Sequence, residues 1–309
     1  LGNMRDLARI LHDKRIKRGA IGFDFPETKI SVDVYGWPTM IKPYKRNTAT
    51  GIIEEFMIAA NETVAENYFW LESPFVYRSH EEPDPEKFIR LREFVACFSY
   101  TLKGQHPSSI QALLAKAEGS PEEHIINRMV LQSLKQARYT SQSLGHFGLA
   151  SKYYCHFTSP IRRYPDLQIH RIIKEHLSGK IDEERIDELN TRMPEVCDHC
   201  SKAERAAETA ERDVTHMKKA QFMSDKVGRV FSGIISGMHS RGIYVELPNT
   251  VEGMIHMRDL KGDRFVFDKN RMCVRGELTK KVYNIGDRVK VKVAKVNVQA
   301  REIDFELLQ

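Results

Sequence analysis

Apolar positions first recur at helical spacing between residues 4 and 18, and the run stops at Gly19. A glycine just past the last periodic residue is a common helix terminator, so a helix is predicted there. Two short alternating runs follow, "AIGFDF" at 20–25 and "TKISVDVYG" at 28–36, and both predict strands. Over 49–71, Ile52, Ile53, Phe56, Ile58, Ala59, Val64 and Ala65 make a broad apolar face, as a long core helix requires. Helices are predicted next over 85–102, 108–117 and 121–137, then one ending near Leu177. "IDEERIDELN" at 181–190 starts another, its acids forming a solvated face and not a metal site. Over 200–222, Ala203, Ala207, Ala210, Val214 and Met217 recur at steps of four and three, a helix with small residues for close packing.

At Val227 the period changes from helical to two. "GRVFSGIISGMHSRGIYVEL", "VEGMIHMRDL" and "YNIGDRVKVKVAKVNVQAREIDFEL" predict five short strands broken by glycines, the pattern of a five-stranded antiparallel OB barrel. The fold class is therefore α+β, a mixed, helix-rich domain over 1–224 followed by a barrel over 225–309. One face of such a barrel often carries aromatic and basic residues for single strands. Phe231, Tyr244, His256, Phe265 and Phe267 are candidates, each with barrel core as the alternative.

Composition narrows the function classes. A chain of 309 residues, 41% hydrophobic and 29% charged, is long enough for one large domain plus a smaller module. No apolar run reaches the roughly 20 residues that cross a bilayer, and no basic-then-apolar segment opens the chain, so the expectation is a cytoplasmic protein without membrane contact. Five irregularly spaced cysteines suit a reducing compartment. "CDHC" at 197–200 has a zinc-like look, but no second ligand pair follows and packing explains it better. The net charge of +6 is uneven: residues 225–309 hold 16 Lys and Arg against 11 Asp and Glu, and residues 1–224 hold 32 against 31. A basic small domain beside a neutral large one points to a polyanion.

The densest chemistry lies in "CHFTSPIRRYPDLQIHR", residues 155–171. With Pro160 as the first helical position, Arg162 and Arg163 fall in the first turns, where the backbone dipole disfavours cations. An external anion is the natural partner for them. Ser159 and Thr158 either cap the helix or meet that anion.

The 27 residues "GHFGLASKYYCHFTSPIRRYPDLQIHR" resemble the signature of the RNB family of hydrolytic 3′-to-5′ exoribonucleases. "IIEEFMIAANETVA" resembles that family's upstream helix, "RGAIGFDF" the strand before it, and the tail is similar to the S1-type RNA-binding OB domain that follows its catalytic domain. The resemblance implies processive, Mg²⁺-dependent release of nucleoside 5′-monophosphates from the 3′ end of single-stranded RNA. The family's metal-holding aspartate cluster has no counterpart among these residues, so the ligands are expected upstream of Leu1, with no metal site in this chain and no activity from it alone.

Residue by residue, Arg162 matches the catalytic arginine, with Arg163, Asp166, His170 and Arg171 as a shell around it and Ser159 beside the phosphate. Phe23 matches an aromatic that stacks on the terminal bases, and Glu55, or Glu54 one register away, a glutamate that contacts a nucleotide. In the barrel, Tyr244 and Arg241 are the expected RNA contacts; Arg241 and Ile243 stand where the family often has aromatics, so charge takes over part of the grip. The expected partner is the 3′ end of single-stranded RNA, met by a monomer, with structured RNA and the ribosome as further candidates. Two other readings are a catalytically silent RNB-like RNA-binding protein and a helical protein whose OB domain meets a protein partner.

Overall fold

The structure is a computed structural model that describes residues 1–22, 27–44, 46–120, 122–269 and 271–308. Helix α1 (Gly2–Arg18) ends where the sequence predicts, because Gly19 takes a left-handed conformation with φ at 102°. Residues 20–22 form no strand, and 23–25, with Phe23, lie outside the described residues. The strand predicted over 28–36 is instead a hairpin of β1 (Thr28–Val32) and β2 (Pro38–Pro43). Period-two alternation ran on across its turn because Val34, 93% exposed in the turn, continues the apolar series of Ile30 and Val32. Asp33 makes the reversal: its Oδ1 accepts the N–H groups of Tyr35 and Trp37 at 2.9 and 2.8 Å, with Gly36 at φ 77°.

Helix α2 (Thr48–Trp70) opens on a reciprocal cap between Asn47 and Thr50. Strand β3 (Tyr77–Ser79) pairs with β4 (Arg138–Thr140) across three intervening helices, α3 (Pro85–Ala96), α4 (Pro107–Ala117) and α5 (Glu123–Ser133). After α6 (Tyr164–Leu177), a single 41-residue helix, α7 (Glu183–Met223), replaces the two helices predicted there. Pro194 lies inside it. Proline removes one backbone hydrogen bond, but Met193 and Cys197 on either side are 1% and 3% exposed, and their packing carries the helix through.

Two apolar clusters organise the chain. The first joins Tyr68, Phe75, Tyr77, Tyr139, Ile169 and Ile172 to Leu189, Met193, Cys197 and Cys200 of α7, so the "CDHC" thiols are core. The second runs from Leu91, Ile110 and Ile126 through Ala220 and Met223 of α7 into the barrel at Ile235, Ile243 and Phe305.

The barrel closes in the order β11 (Arg288–Asn297), β12 (Glu302–Leu308), β7 (Glu252–His256), β6 (Gly242–Glu246), β5 (Val230–His239). Its pairs are antiparallel except β12 with β7, which meet in parallel at Asp304 and Met254. A three-stranded sheet, β8 (Phe265–Asp268), β9 (Cys273–Gly276) and β10 (Val282–Asn284), fills the β7–β11 connection. Strands of three or four residues are too short for a period to reveal. Polar contacts also tie barrel to helices: Arg128 donates to the Ser236 carbonyl, Lys219 Nζ to the Thr250 carbonyl at 2.6 Å, and Arg301 pairs with Asp213 at 2.6 Å.

A Cβ on Gly253 would lie 2.7 Å from the Phe305 ring, which is 1% exposed. Gly253→Ala is therefore expected to destabilise the protein by about 1–3 kcal/mol, read as a lower urea midpoint at unchanged slope.

Candidate active site

Helix α6 begins at Tyr164, with Arg163 at its N-cap position and Pro165 in its first turn. The start expected at Pro160 is corrected: Arg162 and Arg163 return their N–H groups to the Ser159 carbonyl at 3.3 and 3.1 Å, so residues 159–163 form a turn ahead of the helix. Asp166 is the cause. Its carboxylate is fully buried, and Oδ1 accepts both the Ser159 N–H and Arg163 Nη2 at 2.7 Å. An acid in the first helical turn thus holds the loop in place of a hydroxyl cap. Ser159 serves through its backbone, and Thr158 Oγ1 is buried without a partner, as are Arg163 Nε and Asp166 Oδ2. Buried polar atoms are rarely left unpaired, so three within nine residues mark the turn as unusual.

The two arginines differ sharply. Arg163 is fixed by Asp166 with its side chain 18% exposed. Arg162 is exposed, and among the described residues its side chain has no hydrogen-bond or ion-pair partner.

The segment leading into the turn is held from both sides. Asn61 of α2, 3% exposed, accepts the Phe157 N–H at 2.9 Å through Oδ1 and donates to the Tyr154 hydroxyl at 3.1 Å. His170 Nε2 lies 3.0 Å from the Phe157 carbonyl, and its ring stacks on Phe157 at 4.3 Å. The guanidinium of Arg171 lies 5.9 Å from the Tyr164 ring. Sequence reasoning missed Asn61, although an amide one helical turn from both Ile58 and Ala65 was a visible signal.

These elements border a cleft of about 760 Å³ lined by Thr50, Ile53, Glu54, Asn61, Arg78, Tyr154, His156 and Arg163, among others. Glu54 faces this cleft. Glu55 turns to α1, where Arg15 binds its carboxylate at 2.5 and 3.2 Å and His12 Nδ1 lies at 3.0 Å. Burial raises the Glu55 pKa, but the Arg15 and His12 bonds outweigh it and the carboxyl lies below its usual value. On the opposite wall, Arg78 pairs with Glu204 at 2.5 Å and stands 4.7 Å over the Tyr139 ring, whose hydroxyl is 2.9 Å from His156 Nδ1. Burial first, then the charges of Arg163 and Arg78, push His156 down to about 2, so the imidazole is neutral. Arg78 and Arg163 thus bring two guanidiniums to the cleft, each paired with a carboxylate, beside the acid Glu54; Arg162 is not among the residues that line it. Among the described residues no group of three or more His, Cys, Asp or Glu could hold a metal ion, so these side chains do not by themselves fit a Mg²⁺ site.

Phe265 and Phe267, expected in the barrel, lie instead in the three-stranded sheet, Phe265 buried against Tyr283 and Phe267 half-buried, while Phe231 of the barrel is half-buried against the core. Ile243 is fully buried, so it belongs to the barrel interior. Tyr244 and His256 lie on the other face: the Tyr244 hydroxyl is 3.2 Å from His239 Nε2, and His256 is 3.1 Å from Asp304. Arg241 is exposed at the β5–β6 turn.

A family model described as RNB domain matches residues 1–179, and one described as S1 RNA binding domain matches residues 224–308. The chain belongs to the RNB family. Within it, the chain is 42% identical over 309 residues to Ribonuclease R 1 of Lactococcus lactis, covering 99% of this chain and 38% of that protein. It is 42% identical to Ribonuclease R of Aquifex aeolicus, with 99% and 44% covered. The apo structure of Mycoplasma genitalium RNase R matches with a TM-score of 0.91 at 31% identity, covering 99% of this chain and 49% of that one. The chain therefore spans less than half the length of these relatives. No helix among the described residues is long and apolar enough to cross a membrane.

Two outcomes follow from the carboxylates. Asp166→Asn leaves Arg163 without its counter-charge and is expected to cost about 2–3 kcal/mol in urea unfolding. A depressed folded pKa means that Glu55 adds stability at neutral pH, which is lost as pH falls through that value. The stability gap between wild type and Glu55→Gln is therefore expected to be about 1–2 kcal/mol at pH 7 and to close as pH falls below the ordinary glutamate range and through the depressed folded pKa.

Proposed function

We propose that this chain is part of a hydrolytic, processive 3′-to-5′ exoribonuclease, residues 1–224 forming the latter portion of its catalytic domain and 225–309 an S1-type RNA-binding OB domain. One observation carries the reading: 99% of the chain overlays on Mycoplasma genitalium RNase R, a protein also solved in complex with ribose-methylated single-stranded RNA. The substrate is single-stranded RNA entered from its 3′ end, and the protein acts as a cytoplasmic monomer, with structured RNA and the ribosome as further partners.

In the reaction, water attacks the last phosphodiester, the P–O3′ bond breaks, the departing 3′ oxygen takes a proton, and a nucleoside 5′-monophosphate leaves. Charge builds on the phosphoryl oxygens. Arg162 is assigned to them because its guanidinium is free and planar, with donors spaced for two oxygens. Arg163, held by Asp166, keeps the turn in register and adds positive potential to the cleft. We read the nucleotide contact as falling to Glu54, which lines the cleft, while Glu55 secures α1 against α2. Phe23 is assigned to base stacking, the Ser159 region to the phosphate, and Tyr244 with Arg241 to the strand at the barrel. Mg²⁺ would be held by carboxylates outside the described residues, expected before Leu1.

Full-length protein incubated with 5′- and 3′-labelled single-stranded RNA tests the reading. Mononucleotide release with Mg²⁺ and none with EDTA is expected; RNA binding without release points to a silent RNA-binding protein. Arg162→Ala is expected to lower kcat by about 100-fold or more with little change in RNA affinity. Residues 1–309 alone are expected to bind RNA without turnover, with affinity falling steeply between low and moderate salt.

A further inference from the structure

The β1–β2 hairpin is not used by the cleft chemistry, yet its exposed face is built for a ligand. Cross-strand register sets Lys29 directly opposite Lys42 and Ile30 directly opposite Ile41. The isoleucine pair faces inward, with Ile41 4% exposed in the core. The lysine pair is exposed and has no acidic partner among the described residues. Like charges directly opposite on a sheet repel, so this face is at its best with an anion on it.

The turn adds a second, independent feature. Val34 and Tyr35 are 93% and 91% exposed and Trp37 is 49% exposed. The turn is nevertheless tied down: Asp33 Oδ1 accepts two of its N–H groups, and Lys218 Nζ of α7 donates to the Gly36 carbonyl at 2.7 Å. Exposed aromatic rings on a turn whose backbone is anchored suit an interaction site.

The hairpin also lies between two places already described. Thr28 Oγ1 meets Thr250 Oγ1 of the barrel at 2.8 Å. The chain leaves β2 at Pro43 and reaches Asn47, the cap of α2, whose first turns line the cleft through Thr50, Ile53 and Glu54. Over residues 27–46 four Lys and Arg stand against two Asp and Glu, and Asp33 is consumed by the turn. Unpaired lysines beside exposed rings suit a single-stranded nucleic acid, because phosphates satisfy the charges and any base stacks on the rings.

We propose that the β1–β2 hairpin is an additional single-strand RNA contact, the Lys29–Lys42 pair taking backbone phosphates and the Tyr35–Trp37 tip stacking on bases between barrel and cleft. The proposal rests on the RNA reading given above. Its test measures the affinity of full-length protein for a long single-stranded RNA in EDTA, across a salt series, for Lys29→Ala/Lys42→Ala and Tyr35→Ser/Trp37→Ser double variants. All four positions are exposed, so melting temperatures are expected to stay at the wild-type value. The lysine variant should flatten the log–log salt slope by about 1.4, two phosphate contacts' worth on a single strand. The tip variant should weaken binding about tenfold or more with the slope unchanged. Wild-type affinity and slope in both variants would overturn the proposal and leave the tip to a protein partner. Failure of the wild-type protein to bind RNA at all would instead overturn the reading beneath it.

Discussion

The buried carboxylate of Asp166 is the constraint on which the site depends. A carboxylate with no solvent exposure is tolerable only with strong partners, and its two, the Ser159 N–H and the Arg163 guanidinium, come from the two ends of one turn. Satisfying the acid therefore closes the turn. The same bonds remove one arginine from circulation and leave its neighbour in solvent. The exposure of Arg162 is thus a by-product of solving the burial of Asp166.

A similar division runs through α2. Glu55 is spent on Arg15 and His12, and Glu54, about 100° around the helix, is left to the cleft. In both pairs one charge is buried in the frame and the other is exposed, Arg162 without a partner among the described residues and Glu54 in a solvent-exposed pair with Arg46 at 3.6 Å. Asn61 completes the arrangement by joining α2 to the segment that enters the turn, so the two segments that carry the family resemblance are bonded directly to each other.

Much of this was legible in the sequence. The helix-to-strand change at Val227 announced the barrel, and the signature announced the family. What hydropathy could not resolve were choices made by a single contact: which residue of Arg162/Arg163 or Glu54/Glu55 is tied, where α6 starts once Asp166 reaches back to Ser159, and that the alternation over 28–36 turns at Asp33. Nor could the sequence join the two helices expected over 181–222, since continuity through Pro194 rests on the packing of Met193 and Cys197. The barrel aromatics sort the same way: only the register decides that Tyr244 faces out while Ile243 faces in.

Helix α7 gives the fold a property that a division into two sequence modules hides. Its first half is core to the cleft side and its last turns, Ala220 and Met223, are fully buried beneath the barrel. At 1.5 Å per residue it runs for about 60 Å as one continuous rod. Cutting the chain at the module border would bare the apolar end of that rod on one product and strip the floor from the barrel on the other. The units that were joined in sequence have thus become a single unit of stability: their interface is interior, and neither half retains a complete surface of its own.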